Sequence, residues 1–537
     1  MPSRLLHVEH IFNGGWAPDY GAYAVAAIDK SGRCNIPWLI EAKNYQFEAD
    51  GTPHKIGGTQ KLFSVALESG AAIRGLFDFW KQGTAGCPSQ KRVLHVGTKV
   101  KMDNGDGSFS DVFSGLMDDS IPNYSSFEGN IIIAQTGTDM PMWSDGVTHT
   151  TFSSPTPNFS FSETHKLRQW AAGVDAAPSH VFYSVYEDPT DWTGSGSGNI
   201  AVAPGDGDRI TALASHRNEL FVFKGPHKGS IHRISGSAPT GDDPFTLNEF
   251  IPSGLGAAGQ RSVFRFGNDL GFVAPDGTVH SLNLTDRYSD FLETALSRPL
   301  NSWIRNAVNK EFLPWASTAA NDSMGIVRLS APVYASHTNN LVLMMDYRFD
   351  PPRWSTAPAL SDYCYCLAQV SKSSFGSDPT TMAGGSDGFV RRLDWHTCAI
   401  DHAVTGTFDC SFLTPFLAYT PFSTLGVIYF GGVKISPKSA KNFTFYWARD
   451  GQDTQSSTGV QWTGDVLSVV PQASPFVLGS SELIGDRTVS KLFDLIEGGE
   501  FRQIQYGVAN NGAGADIHVK SILASIKPGS FSAEPNE

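Results

Sequence analysis

Short apolar runs, each a few residues long and broken by Gly, Asn, Asp or Pro, dominate the chain from about residue 71 to 404. The pattern is densest between Asp208 and Val279. Residues 210–213 read as a strand, Asn218-Glu219 as a turn, 220–223 as a second strand, 226–229 as a turn and 230–234 as a third strand. After a polar loop the pattern repeats at 262–266, 270–273 and 278–282, with turns at 267–269 and 275–277. Strands this short, punctuated by turn formers, are hairpin signals. Laid end to end they predict a meander, as in a β-propeller blade.

The same texture begins with 73–80, 92–96 and 99–102 and continues through 109–113 and 131–134. Asp-Gly turns recur at Asp145-Gly146, Asp276-Gly277 and Asp387-Gly388. Gly supplies the positive φ of a tight turn, and Asp bonds its own backbone. The spacings between these turns exceed one blade of roughly 40–50 residues. Each interval is therefore expected to hold two or three blades, giving roughly six to eight in all.

Other stretches depart from this pattern. Residues 289–309 read as one or two helices, with Asp290 and Glu293 where a helix start favours acids. Pro299 fits a break or the first turn of a second helix. Beyond 405 the runs lengthen, as at 427–430, 443–447 and 517–526, and some alternate, which predicts a β-sandwich with solvated outer faces. Residues 1–60 carry turn clusters such as Asn13-Gly14-Gly15 and Asp50-Gly51 and few periodic runs. They read as an extended arm with a hairpin or two. The expected domains are an arm at 1–60, a propeller at 61–404 with a helical insertion, and a sandwich-like domain at 405–537.

The chain has 537 residues, a length suited to two or three domains. Its 54 Gly and 35 Phe favour many short strands over long helices. A net charge of −13 argues against a dedicated nucleic-acid binder but suits a surface past which DNA slides. Six cysteines are too few for a disulfide scaffold and point to assembly in a reducing compartment. The first fifteen residues show no apolar run of signal-peptide type, and no stretch has the length of a membrane span.

Several motifs invite chemistry. Gly254-Leu255-Gly256-Ala257-Ala258-Gly259 matches the dinucleotide fingerprint, but a strand rather than a helix is expected after it, so it reads as a loop. Gly384-Gly385-Ser386-Asp387-Gly388 matches the nucleophile elbow with Ser386, but it too precedes an expected strand. Cys364, Cys366, His396, Cys398, His402 and Cys410 form the one metal-type cluster; it lacks the tight knuckle spacing, and buried apolar cysteine is the plainer reading. The oxygen-rich turns at 103–107 and 206–208 lack the glutamate of a calcium loop. Lys434, Lys438 and Lys441 read as edge-strand protection, and Trp143, Trp192, Trp354 and Trp395 as blade packing. No catalytic, cofactor-binding or metal residue is assigned.

Several stretches resemble the tail proteins of short-tailed bacteriophages, a group that includes tail nozzle (tubular) and packaged-DNA stabilisation proteins. They are Ala42-Lys43-Asn44 with 50–58, then 179–192 with its Asp188-Pro189 and Trp192, then 206–213, 219–224 and 230–236, and finally 501–507 with 521–528. The resemblance covers most of the chain. It implies a propeller-bearing virion protein in a homo-oligomeric ring, a hexamer by expectation, below a portal and adaptor complex and beside tail fibres or spikes. Such a ring retains packaged DNA and forms the ejection conduit, without enzymatic activity, after assembly in the host cytoplasm. A glycan-binding or glycan-cleaving propeller is the alternative, although Ser144-Asp145-Gly146 and Ser386-Asp387-Gly388 lack the Asp-box spacing of sialidase-like folds.

Three expectations follow from the ring. Deleting residues 1–40 is expected to leave a folded monomer that fails to assemble, the arm being a contact element. The conduit wall is expected to be acidic or neutral and polar, with most Lys and Arg at subunit contacts, because each phosphate contact adds a salt-dependent brake. The polar Gly-rich loops at 103–108, 193–208 and 236–243 are the candidate gates.

Overall fold

The computed structural model describes residues 6–26, 28–81, 89–104, 108–251, 254–283, 295–370, 380–395, 401, 408–419, 426–435, 442–449, 460–463, 489–494, 500–510 and 518–528. The chain divides into two compact units. One comprises Lys61–Leu343 with Leu360–Leu393, the other Met1–Gln60 with Met344–Ala359 and Asp394–Glu537.

The first unit is a β-propeller with seven blades among the described residues. Blade 1 is the antiparallel meander Ile73–Lys81, Ser89–Val96, Lys99–Asp103 and Phe109–Ser114. Blades 2, 3 and 4 repeat it, running from Pro122–Phe127 to His149–Thr151, from Phe161–His165 to Gly198–Ala201, and from Arg209–His216 to Thr246–Ile251. Blade 5 shows Val263–Phe266, Asp269–Val273 and Val279–Ser281. Blade 6 begins with the hairpin Ser317–Asn321 and Ile326–Ala331, and blade 7 is built on Cys366–Val370, Thr380–Gly384 and Val390–Trp395. The dense 208–279 stretch thus supplies two successive blades. The strand Thr246–Ile251, hidden in what reads as a polar loop, completes the first of them.

The ring closes without a covalent link. Cys366 Sγ donates to Ile73 O at 3.4 Å, joining the inner strands of blades 7 and 1. Ile73, Leu94, Val96, Val370, Met382 and Val390 pack as one core across that seam. The chain entering the unit lies along blade 7, where Leu62 N–H donates to Val390 O at 3.0 Å. Apolar side chains on both faces of each blade fill the spaces between blades. Leu213, Leu220 and Val222 of blade 4, for example, pack on Trp170 and Val181 of blade 3. Each such fully buried side chain contributes about 1.5–3 kcal/mol.

All three Asp-Gly turns form as read. Gly146, Gly277 and Gly388 have φ of 85°, 90° and 77°. Asp145 accepts from the backbone of Val147 and Thr148, Asp276 from Thr278 and Asp387 from Phe389. They sit in blades 2, 5 and 7, so the two intervals span three blades and two. The turn placed at Asn218-Glu219 lies one residue earlier. Arg217 and Asn218 carry positive φ between the paired His216 and Glu219, the two-residue loop that matches strand twist. Of the helical insertion, the helix Asn301–Ala307 is preceded by a 3-10 turn holding Pro299, as expected, while Asp290 and Glu293 lie outside the described residues.

Besides the hairpin of Tyr45–Phe47 and Pro53–Lys55, the second unit contains two larger sheets among the described residues. One orders Arg33–Ile36, Leu6–Phe12, Val519–Pro528, Gly426–Ile435 and Val489–Asp494; in the other, Tyr23–Val25, Phe416–Ala418, Ile504–Asn510, Cys410–Leu413, Glu41–Lys43 and Arg353–Thr356 are neighbours. Side chains of the two meet: Phe12 lies edge-on to Phe412 at 5.1 Å, and His10 lies 5.4 Å from Tyr506. This is the sandwich expected after 405, with one correction. Residues 1–60 are not an extended arm. Leu6–Phe12 pairs antiparallel with Val519–Pro528 and parallel with Arg33–Ile36, burying Val8, His10 and Phe12. Asn44, one of the residues carrying the phage resemblance, sits at φ 56°, where Asn is favoured over most residues. Its amide donates to Asp409 O and accepts from Ala359 N–H.

The expected effect of deleting residues 1–40 changes accordingly. The deletion removes the inner strand Leu6–Phe12 together with its neighbour Arg33–Ile36, and exposes apolar surface on the neighbour that remains, Val519–Pro528. We expect the 394–537 region to become protease-sensitive while the propeller stays resistant, measured by limited proteolysis with mass spectrometry. A truncated chain as resistant as the full one in 394–537 would contradict the strand's role.

The candidate functional site lies on the propeller axis

Seven inner strands converge on the axis, and cavities open at its ends. One of about 560 Å³ is bordered by Phe77, Glu163, Gln260, Arg265, Thr318 and Gln369. A second, of about 450 Å³, is bordered by Asn123, Asp175, Arg209, Gln260, Phe312 and Trp315. A third, of about 350 Å³, shares Phe312 and Trp315 with the second and adds Arg74, His337, Asn339 and Tyr365.

Gln260 is a wall of both the first and second cavities, and its setting explains why. It opens the 3-10 turn Gln260–Ser262 that leads into blade 5. Its side-chain amide clamps the blade 4 backbone, accepting from Leu213 N–H at 2.8 Å and donating to Leu213 O at 2.9 Å. Arg261 reaches further, donating to Arg74 O of blade 1 at 2.5 Å and to Trp315 O at 2.8 Å. Its own carbonyl accepts from Thr318 Oγ1 of blade 6 at 2.8 Å. Blades 5 and 1 are not neighbours in a seven-membered ring, so a bond between them crosses the axis. Burial lowers the Arg261 pKa from its ordinary value, and burial raises that of Tyr124 nearby.

Glu163 faces the first cavity. Desolvation raises its pKa above the usual carboxylate value; Arg265, whose Nη2 lies 2.8 Å away, and the Ser215 N–H oppose that shift. Its partners are fixed, which suits an anchoring carboxylate. The second and third cavities differ. Phe312 stacks on His337 at 4.4 Å, and Arg74 lies over the Trp315 ring at 5.8 Å.

The motifs singled out in the sequence are structural where the structure describes them. Gly254–Gly259 is a loop between blades; a Cβ on Gly256 would lie 1.9 Å from Lys224 O. Ser386 Oγ donates to Asp362 O in a strand-turn-strand, not a nucleophile elbow. Cys364, Cys366 and Cys410 are buried free thiols, and His396, Cys398 and His402 lie outside the described residues. Asp206 and Asp208 are engaged internally, Asp206 with Lys224 Nζ at 2.7 Å and Asp208 with the N–H groups of His227, Lys228 and Gly229. Trp143 and Trp192 pack between blades 2 and 3, and Trp354 is buried in the second unit. The Trp395 and Lys434 side chains, Lys438 and Lys441 lie outside the described residues.

The expected gates are more ordered than their composition implies. Residues 193–208 contain the blade 3 strand Gly198–Ala201 and the Asp206 anchor. In 236–243, Ser237 N–H donates to Asp243 O at 3.0 Å, closing a compact turn. Of 103–108, residues 105–107 lie outside the described residues. Arg168, Lys224, Arg261, Arg328 and Arg391 are spent inside the propeller. The sequence reading missed Gln260, Arg261, Phe312 and Trp315. Nothing in their local pattern marks a position on the axis.

These features define the class: a seven-bladed propeller accompanied by an all-β sandwich unit that joins both ends of the chain. No family model and no curated protein matches the chain. Among solved structures it is similar to the β-propeller domain of Cps50 (Swd1) from Myceliophteria thermophila, with 11% identity, 64% of this chain and 99% of that one covered, and a TM-score of 0.39. It is also similar to YCF48 bound to D1 peptide, with 11% identity, 63% and 97% covered and a TM-score of 0.35. BamB from Moraxella catarrhalis aligns with 8% identity, 63% and 98% covered and a TM-score of 0.32. The blade count rests on the sheets described above.

Proposed function

We propose that this protein is a non-enzymatic structural component of a short-tailed phage tail, a ring-forming nozzle subunit that retains packaged DNA and forms its exit conduit. One observation carries the reading: the stretches that resemble such proteins are contact partners in the fold. Residues from 179–192, 206–213 and 219–224 meet at one buried node, where Lys224 Nζ donates to Ser179 Oγ at 3.4 Å and to Asp206 Oδ1 at 2.8 Å. The first such stretch also reaches the segment leading into the last one, with His54 stacked on His518 at 4.9 Å, just before the closing strand Val519–Pro528. Residues that resemble a family and also build one another's supports fit a shared framework better than scattered likeness does.

The reach of Arg261 across the axis to Arg74 gives the proposal a sharper form. DNA does not run through the propeller; the conduit is the space enclosed by several copies, with portal, adaptor and fibre proteins as neighbours. Heterologous contacts between identical subunits close into a ring of cyclic symmetry, here taken as a hexamer. The excess of acidic over basic residues suits a wall that does not hold a polyanion. The test is electron microscopy of the purified protein, with closed rings expected, followed by titration with duplex DNA at physiological salt. Monodisperse monomers at high concentration, or tight and steeply salt-dependent DNA binding, would refute the reading.

A further inference from the structure

We propose that the axial mouth formed by the second and third cavities is a binding site for a neutral oligosaccharide. The two cavities, about 450 and 350 Å³, share Phe312 and Trp315 as a common wall and fall in the size range of small-molecule sites. Asp175, Arg209 and Glu311 border the larger one, all exposed at its rim. Among the described residues, none of the three makes an ion pair or side-chain hydrogen bond. Other charged groups of the propeller are engaged in pairs, as with Glu163 and Arg265 or Asp387 and Arg391.

The chemistry of the lining narrows the ligand. Two free carboxylates accept hydrogen bonds and one free guanidinium donates them, so the mouth suits groups that do both, as hydroxyls do. The flanking aromatic rings offer apolar surface to the C–H faces of a sugar ring. A phosphate or nucleotide needs concentrated positive charge, yet Arg209 is the one free cation among the residues bordering these cavities. Arg74 is already paired with Asp118 at 2.8 Å and Asp119 at 3.0 Å.

The wall is also held in advance. Trp315 closes the 3-10 turn Leu313–Trp315, and its carbonyl accepts from both Arg261 and Asn339. Asn339 donates in addition to Tyr365 O at 2.8 Å. A site that needs no ordering on binding keeps more of its contact energy. This inference does not depend on the phage reading, since it rests on the mouth alone.

The experiment is saturation-transfer NMR and tryptophan fluorescence on the full chain with maltotriose, mannotriose and chitotriose. Titration runs to about 10 mM, where a millimolar Kd is saturated. At least one trisaccharide is expected to saturate. Asp175→Ala and Arg209→Ala, both at exposed positions that leave the fold intact, are each expected to weaken it by roughly 10- to 100-fold, the loss of a charge-assisted hydrogen bond. Saturation by none of the three, or binding unchanged in both variants, overturns the proposal. So does binding of the peptide Gly-Arg-Gly at these residues in place of the sugars, which would assign the mouth to a protein loop.

Discussion

Replacing Lys224 by alanine is expected to destabilise the propeller by about 3–5 kcal/mol, the cost of removing one partner from a buried charged node. Its side chain has no exposure. Nζ donates to Val202 O at 2.9 Å, Ala203 O at 2.8 Å and Asp206 Oδ1 at 2.8 Å, stitching blade 4 to the end of blade 3. Alanine leaves the Val202 and Ala203 carbonyls without this donor, and leaves Asp206 with the Asp208 N–H but no cation. The double variant Lys224→Met with Asp206→Asn is expected to recover part of the loss, because no uncompensated charge remains. Urea unfolding followed by tryptophan fluorescence measures both. A Lys224→Ala midpoint equal to that of the parent would mean the node is not a support.

Acidification from pH 6.5 towards 4 is expected to destabilise both units. Burial pushes the His10 imidazole of the sandwich down to about 4, with the Ile522 carbonyl partly opposing it. Burial, and then the charge of Arg74, pushes His95 of the propeller to about 4 as well. The unfolded chain takes up these protons near pH 6.5, before the folded one does. Stability is therefore full above about 6.5 and falls as pH drops through the window down to about 4. At 1.36 kcal/mol per pH unit, each histidine removes up to about 3 kcal/mol by the lower end. Glu163 acts in the opposite direction, because burial raises its folded pKa and protonation then favours the folded state. Denaturant unfolding at pH 7.5, 6 and 5 measures the balance, and His95→Phe is expected to flatten the profile of the propeller transition. Equal stability at pH 7.5 and pH 5 would show that the histidines do not control it.

What the sequence settled by itself is local. Runs such as 131–134 and 220–223, and the Asp-Gly turns at 145, 276 and 387, specify hairpins because strand alternation and turn φ are properties of neighbouring residues. Once hairpins of that length recur, a propeller follows, and the blade number fell within the expected range. The tertiary structure alone decided the rest. The first strand looked like an arm because its partner, Val519–Pro528, lies some five hundred residues away, and no local period records that pairing. Polar segments such as 193–208 looked mobile because their composition is that of loops, yet Lys224 and the blade 3 edge hold them. Gln260 and Arg261 follow the glycine loop 254–259, whose match to the dinucleotide fingerprint says nothing about them. Arg261 reaches across the axis only because seven inner strands converge there, and the same convergence brings Asp175, Arg209 and Trp315 to one mouth from distant parts of the chain. Such sites are made by closure of the ring, which depends on packing between blades rather than on the order of residues within any one of them.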